Sequence, residues 1–386
     1  MDAAVVLDII KRGEDSRHQF KRNIDNAGSL AADMVAFSNG DGGMLLVGVD
    51  DDCAVAGLAD ADIRRLNQLI SGVASQHIRP PINPTTENII IDGRLIMVVN
   101  VALGINKPYQ DKDGVFWVKS GADKRKATSR EEIQRIFQNA HLLHADEMPV
   151  AGLKIDDFDM LYFNNYFLKR YGQLPEDENQ PLPRLLENMG LLRSDSLTLC
   201  GALLFAKEDY CKLPSFIVKA GAFDANDLTT NNYQDSRNIE GRLESVYSHT
   251  VNFILANLRH MQGEQDFNSI GIPEIPKEAI FELVANALIH RDYYISAPVR
   301  VFVFRNRVEL ISPGHLPNNL TVENILLGVS NTRNQLLASH ANHIIPYRGY
   351  GSGIIRALAS YPDIEFVDDR DANLFKAIIK RRANYS

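Results

Sequence analysis

Residues 277–290 read Lys-Glu-Ala-Ile-Phe-Glu-Leu-Val-Ala-Asn-Ala-Leu-Ile-His, which sets Glu278, Glu282, Asn286 and His290 four apart. At helical spacing these four make one polar stripe, and Ile280, Leu283, Val284, Ala287 and Leu288 make an apolar one. The carboxamide oxygen of Asn286 can ligate Mg²⁺, a hard cation that takes oxygen ligands. A carboxylate one turn earlier, Glu282, can orient or deprotonate a water. Further on, Arg348-Gly349-Tyr350-Gly351-Ser352-Gly353 opens an apolar stretch at 354–360. A glycine-rich turn at a helix N-terminus presents backbone N–H groups and a positive dipole end to phosphate.

Each pattern alone is common. Glu-x-x-x-Asn also describes a solvated helix face, and Gly-x-Gly-x-Gly recurs in many turns. Their order carries more weight. The helix is followed by a hairpin (299–305 and 308–312, turning at Asn306), then Ser312-Pro313-Gly314, then Asn331-Thr332-Arg333-Asn334, then the glycine loop.

A second chemical cluster lies near the other end. Lys119, Lys124, Arg125, Lys126 and Arg130 fall within twelve residues. Such cations bind nucleic-acid phosphates and release counterions, although a basic run is also an ordinary solvated loop. Residues 1–140 hold 17 Lys+Arg against 19 Asp+Glu, so any nucleic-acid contact there needs a local patch.

The whole chain, at 386 residues, exceeds one ordinary core and suggests two or three domains. A composition of 45% hydrophobic and 23% charged residues suits a soluble globular protein. No apolar run reaches the roughly 18 residues of a bilayer span. Residues 1–13 lack the basic start of a signal peptide, which places the protein in the cytoplasm. A net charge of −8 excludes a surface coated in cations. Cys53, Cys200 and Cys211 are too far apart for a disulfide framework or zinc site and read as buried thiols. The pairs His141/His144 and His340/His343 lack a third ligand and read as surface histidines.

The elements expected to carry these residues fall into three segments. In the first, 27–37 is helical and ends in the turn 38–43. Residues 44–49 form a strand, 60–77 a helix, 87–91 and 94–101 a hairpin around Asp92-Gly93, 115–119 a strand, and 129–137 a helix capped by Ser129. In the second, 156–171 is an aromatic-rich helix, 198–206 and 215–222 are strands, 224–227 and 231–232 are polar loops, and 240–259 is a long helix. The third ends on a strand at 375–382.

The segment 270–380 resembles the GHKL-like ATPase domain of bacterial RecG-like, or divergent AAA, transcriptional regulators. The residues that carry the resemblance are Glu282 to Tyr293, Ser312-Pro313-Gly314-His-Leu-Pro317, Thr332-Arg333-Asn334 and Gly351-Ser352-Gly353-Ile354. It implies a Bergerat-type α/β sandwich that binds ATP and Mg²⁺. Glu282 would be the water-activating base, Asn286 the metal ligand and the glycine loop the phosphate cradle. Asp292, Ser312, Gly314, Arg333, Asn334, Gly349, Gly351, Ser352 and Gly353 would complete the nucleotide site. Ser312 stands where these ATPases usually place an adenine-binding Asp. It offers a hydroxyl without a charge-assisted bond, so binding is implied more firmly than hydrolysis.

The segment 10–140 resembles the Schlafen-type AlbA_2 domain. It does so through Gly13 to Lys21, Ala36 to Asp50, Gly57-Leu58 and Phe116-Trp117-Val118-Lys119-Ser120-Gly121. That family is associated with nucleic acids, and some members are RNases with three metal-binding carboxylates. Here Glu14 matches the first, Gln19 stands at the second, and the third falls among Asp50–Asp52. A Gln supplies no charge to a metal, which disfavours nuclease activity.

The sequence therefore predicts an α+β multi-domain protein: an AlbA_2 domain at 1–140, an α/β connector at 150–265 and a GHKL-like domain at 270–386. The expected function is an ATP-binding transcriptional regulator that binds DNA, or RNA, through Lys21, Lys119, Lys124, Arg125, Lys126 and Arg130. It would work as a homo-oligomer, a dimer, switched by nucleotide, with weak ATPase activity and no membrane partner. The rivals are an ATP-gated nuclease of defence or stress response and a degenerate ATPase fold that serves as a scaffold.

Overall fold

The computed structural model describes residues 2–140, 142–208, 213, 215–229, 233–261, 271–317, 320–349 and 351–382, without the side chains of Glu131, Asn139 and Met261. The architecture is mixed α+β, divided into two compact units, Met1–Leu143 and His144–Ser386. Among the described residues no helix is long and apolar enough to cross a membrane.

The first unit is built on a four-stranded sheet ordered His18–Lys21, Gly43–Val47, Arg94–Val101, Thr85–Ile91. The first two strands run parallel and the others antiparallel. Side-chain alternation assigns its two faces. Leu45, Val47, Met97 and Val99 pack with Leu30, Met34 and Phe37 of the helix Ala27–Asn39 and with Leu66 and Ile70 of the helix Asp60–Gly72. Leu46, Ile96 and Val98 pack with Phe20 and with Val6 and Ile10 of the helix Ala3–Arg12. The helix Ala27–Asn39 is buried continuously from Leu30 to Ser38, which suits its nearly unbroken apolar sequence. The hairpin at Asp92-Gly93 turns with both residues at positive φ, 50° and 76°, the conformation of a type I′ turn.

The second unit carries a six-stranded sheet ordered Tyr233–Ile239, Val218–Phe223, Val299–Val303, Arg307–Pro313, Leu374–Lys380, Ile364–Asp369. Val218–Phe223 pairs parallel with Val299–Val303, and every other pairing is antiparallel. One apolar core runs from Ala145 to Ile379, so elements on both sides of residue 270 share it. The helix Lys277–Ile289 buries Ile280, Leu283, Val284 and Leu288 in that core. The helices Leu243–Ala256 and Gly353–Ser360 lie beside it and contribute Val246, Ile254 and Ala357.

Some elements differ from expectation. Residues 198–206 are not a strand: Leu199–Phe205 is a helix, capped by Thr198 Oγ1, which accepts the Gly201 N–H at 3.1 Å. A short, wholly apolar run suits a buried helix as well as a buried strand, and the Thr cap decides for helix. The strand Tyr233–Ile239 carries no apolar signal, because it is a sheet edge with only Ile239 buried.

Candidate functional site

The helix Lys277–Ile289 turns its polar stripe into a cleft. Glu282, Asn286 and His290 line it, opposed by Ser312 and Gly314 and by Gly349, Gly351 and Gly353. The cleft holds about 990 Å³ of empty space, its solvent-open mouth included. Leu310, Phe366, Phe375 and Ala377 form an apolar wall from the sheet, and the rings of Phe366 and Phe375 stack 6.0 Å apart.

Glu282 is 9% exposed. Its Oε1 accepts from Arg356 Nε at 3.1 Å and from Arg356 Nη2. Arg356 Nη1 reaches Ser352 Oγ at 2.6 Å. The carboxamide of Asn286 lines the cleft and has no hydrogen-bond partner among the described residues, so it remains available to a ligand. His290 caps the helix, its N–H bonding to Asn286 O at 3.0 Å. The His290 ring Nε2 lies 3.1 Å from Tyr347 Oη, and burial, then the charge of Arg333, pushes its pKa down to about 4.

The glycines are shaped by close approach. Gly351 has φ +71°, and a Cβ there would stand 2.4 Å from the Gly328 carbonyl oxygen. At Gly353 a Cβ would stand 2.5 Å from Glu282 Oε2 and 3.5 Å from Asn286 Nδ2. The loop is thus laid directly over the Glu282–Asn286 pair, and its backbone is bare enough to face a ligand. One free carboxamide oxygen, an adjacent carboxylate and a glycine loop form a donor set that fits a Mg²⁺-bound polyphosphate.

The other expected contacts sit around the cleft. Ser312 Oγ donates to Ala287 O at 3.0 Å, which ties the Pro-Gly turn to the helix. Asp292 lies under that turn: its N–H bonds Pro313 O at 2.8 Å, and its Oδ1 accepts the Tyr294 N–H at 2.9 Å. Gly314, at φ +95°, fits because a Cβ would stand 2.6 Å from Asp292 Cβ. Arg333 Nη2 donates to His315 O at 3.0 Å. Asn334 is fully buried and donates to Ile289 O and Arg291 O at 2.8 and 2.9 Å, so it clamps the end of the Lys277–Ile289 helix. Gly349 and Gly351 line the cleft; Ser352 reaches it through Arg356, and Tyr350 lies outside the described residues.

Arg356, Tyr347 and the Phe366–Phe375 wall are site residues that the sequence motifs do not mark. Arg356 left one signal, a cation in the first turn of a helix, where the dipole opposes it and calls for an anionic partner.

The basic cluster of the first unit divides into engaged and exposed cations. Lys124 Nζ pairs with the buried Asp33 carboxylate at 2.7 Å and with Ser29 O and Oγ at 3.0 and 2.9 Å. Arg125 makes a bidentate pair with Glu132 at 2.6 and 2.9 Å. Lys119 Nζ lies 5.0 Å over the Phe37 ring and bonds Ala122 O, and burial lowers its pKa. Lys21 lines a small cleft with Asn26, Ser29 and Asp33. Lys126, 5.4 Å over the Trp117 ring, and Arg130 are exposed.

The carboxylates of this unit are held separately. Glu14 Oε1 accepts the Phe20 N–H at 2.6 Å, Asp50 lies 3.7 Å from Arg22 Nε, and Asp52 accepts the Ala54 N–H at 3.1 Å. Gln19 Oε1 is buried without a partner among the described residues. No group of three His, Cys, Asp or Glu is placed to hold a metal ion among the described residues. Cys200 is buried, which raises its thiol pKa, Cys53 is half-buried, and Cys211 lies outside the described residues, as does His141. His340 is a core residue, 4% exposed, and not the surface histidine expected.

Comparison with known proteins gives two family matches. Residues 14–128 match the family described as "Schlafen, AlbA_2". Residues 296–372 match the family described as "Putative ATP-dependent DNA helicase recG C-terminal". No curated protein matches. Among solved structures, the DIP2311 protein from Corynebacterium diphtheriae is similar at 20% identity and a TM-score of 0.44, covering 98% of this chain and 68% of that one. The N-terminal domain of a RecG-related protein from Nitrosomonas europaea is similar at 21% identity and a TM-score of 0.25, covering 34% of this chain and 96% of that one.

Proposed function

The chain joins a Schlafen AlbA_2 domain to a RecG-like C-terminal domain of ATPase type, and on that premise we propose that it is a nucleotide-switched DNA-binding regulator. The observation that carries this reading is the cleft in which Glu282, the glycine loop and the Asn286 carboxamide, without a hydrogen-bond partner among the described residues, converge. Asn286 would hold Mg²⁺, and Gly349, Gly351 and Gly353 would face the phosphates with bare backbone. The metal, when bound, would neutralise phosphate charge. Glu282 orients or deprotonates water at the same spot. The Phe366–Phe375 wall excludes water and offers an apolar surface to a base, with Ser312 as a neutral polar contact.

The first unit supports nucleic-acid binding through its exposed cations, Lys126 and Arg130 foremost. A switch requires that nucleotide bind two states of the protein unequally. It works through an oligomer, a dimer, whose DNA affinity differs between states. The test titrates a labelled duplex with the protein by fluorescence anisotropy, with and without saturating ATP-Mg²⁺, and measures the oligomer by sedimentation. A change in DNA affinity and assembly is expected; unchanged values in both would sink the switch. The same titration with single-stranded RNA tells which nucleic acid is preferred.

A further inference from the structure

Arg356 holds the side chain on which the nucleotide cleft depends. It sits in the first turn of Gly353–Ser360, directly after the glycine loop. Its guanidinium grips Glu282 Oε1 through Nε and Nη2 and reaches Ser352 Oγ through Nη1. The Glu282 side chain is 12% exposed and that of Arg356 32%, so the cation occupies the wetter side of the pair and faces the cleft.

While the pair stands, Oε1 of Glu282 is occupied by the Arg356 guanidinium. Arg356 also sits at a positive helix end, where it is stabilised only by a nearby anion. A polyphosphate entering the glycine loop is a second anion within reach of the same guanidinium. The planar fork of Arg suits phosphate oxygens as well as a carboxylate, and phosphate carries more charge.

We propose that Arg356 is the terminal-phosphate contact of this cleft: it leaves Glu282 for the last phosphate of a nucleoside triphosphate, and in leaving frees the Glu282 carboxylate. The inference rests on the nucleotide reading above and sharpens it, because it makes the site distinguish triphosphate from diphosphate. Glu282 is then released only when the terminal phosphate is present.

Calorimetric titration of the full chain with ATP-Mg²⁺ and with ADP-Mg²⁺ tests it. The wild type is expected to prefer ATP by about tenfold, the worth of one charge-assisted contact. Arg356→Ala should abolish that preference, so that the ATP-to-ADP affinity ratio falls to about one, and Arg356→Lys should restore part of it. Because Arg356→Ala leaves Glu282 buried and unpaired, the double variant Arg356→Ala/Glu282→Gln provides a folded control and should likewise lack the preference. Glu282→Gln alone weakens the competing pair and should raise the ATP-to-ADP affinity ratio above that of the wild type. If Arg356→Ala keeps the wild-type ATP-to-ADP ratio, or weakens both equally, Arg356 does not sense the terminal phosphate, although the nucleotide reading stands. If the wild type binds neither nucleotide, the nucleotide reading itself falls, and this inference with it.

Discussion

Asp146 accepts the backbone N–H of Leu337 at 2.8 Å across 191 residues of sequence, with its carboxylate fully buried. The bond fills one orphan donor of the helix Gln335–Ala341, which begins directly after Asn334. Asn334 in turn grips the end of the Glu282–Asn286 helix, so the segment at 145–147 is tied to the frame of the cleft. Burial raises the Asp146 pKa, and the Leu337 bond offsets only part of that rise. A raised carboxyl pKa favours the protonated folded state. Its cost to stability therefore grows as pH climbs from the ordinary carboxyl value through the raised one. Asp146→Asn keeps an acceptor oxygen without the charge and should hold or raise stability at pH 8. Asp146→Ala strands the Leu337 N–H and should cost about 1–3 kcal/mol. Urea unfolding of both variants at pH 5 and pH 8 checks this; a destabilised Asp146→Asn would contradict it.

His340 gives the opposite slope. Its Nε2 lies 3.0 Å from the Met189 carbonyl, which can only accept, so Nε2 carries the proton. Nδ1 then accepts from Tyr166 Oη at 2.7 Å and Arg170 Nη1 at 2.9 Å, which leaves it no room for a second proton. Burial above all, helped by the charge of Arg170, brings its pKa from 6.5 to about 4. The unfolded chain binds that proton first, so stability is full above pH 6.5 and is lost as pH falls toward about 4. His290, lowered to the same range, adds to the loss. Thermal unfolding of His340→Gln should show less acid sensitivity over this window than the wild type, whatever its absolute stability. An identical acid slope would show that His340 titrates normally.

What the sequence disclosed and what it withheld divide along physical lines. Glycines, a Pro-Gly turn and an Asn one turn after a Glu are local signals, and the residues that carry them line one cleft. Roles assigned by resemblance alone are harder to read, because a residue can serve a site by building it. Asn334 spends its carboxamide on helix carbonyls. Arg291 is caged by Ala297 O at 2.6 Å and by the rings of Phe216 and Tyr293. Arg356 and the Phe366–Phe375 wall join the site only through long-range pairing, which no spacing rule reports. In the basic cluster the sequence shows charges but does not tell Lys124, committed to Asp33, from Lys126, which is exposed.

Gly351 offers a prediction that separates binding from folding. Its φ of +71° strains any other residue, and a Cβ would stand 2.4 Å from the Gly328 carbonyl oxygen, which is backbone and yields little. Gly351→Ala should displace the glycine loop and weaken ATP-Mg²⁺ binding at least tenfold, roughly the worth of one well-made phosphate hydrogen bond. The cost to global stability should stay near 1 kcal/mol, since the loop lies at the rim of the core. At Gly353 the would-be neighbour is the movable end of Glu282, so Gly353→Ala should fold normally and act mainly on the Arg356–Glu282 pair. Calorimetry beside a melting curve reads both quantities. Undiminished ATP binding in Gly351→Ala would remove the loop from the phosphate site.

The exposed and engaged cations of the first unit make a graded prediction about nucleic acid. Removing one cation that touches a phosphate should weaken binding across all sequences and reduce the slope of log affinity against log salt by about 1. Lys126→Ala and Arg130→Ala should each show that signature with little change in stability, since both side chains are exposed. Arg125 already spends its charge on Glu132, so Arg125→Ala should change the slope less. Glu132→Gln frees Arg125 and removes a negative charge, and should strengthen binding. Lys124→Ala is of another kind, because it leaves the 2% exposed Asp33 carboxylate without its 2.7 Å partner. Breaking a buried pair in this way costs about 3–5 kcal/mol, so this variant should lose stability before it loses DNA. Anisotropy titrations of a labelled duplex at three salt concentrations, with urea unfolding alongside, separate these cases. Equal slopes for the wild type, Lys126→Ala and Arg130→Ala would place the nucleic-acid surface elsewhere on the chain.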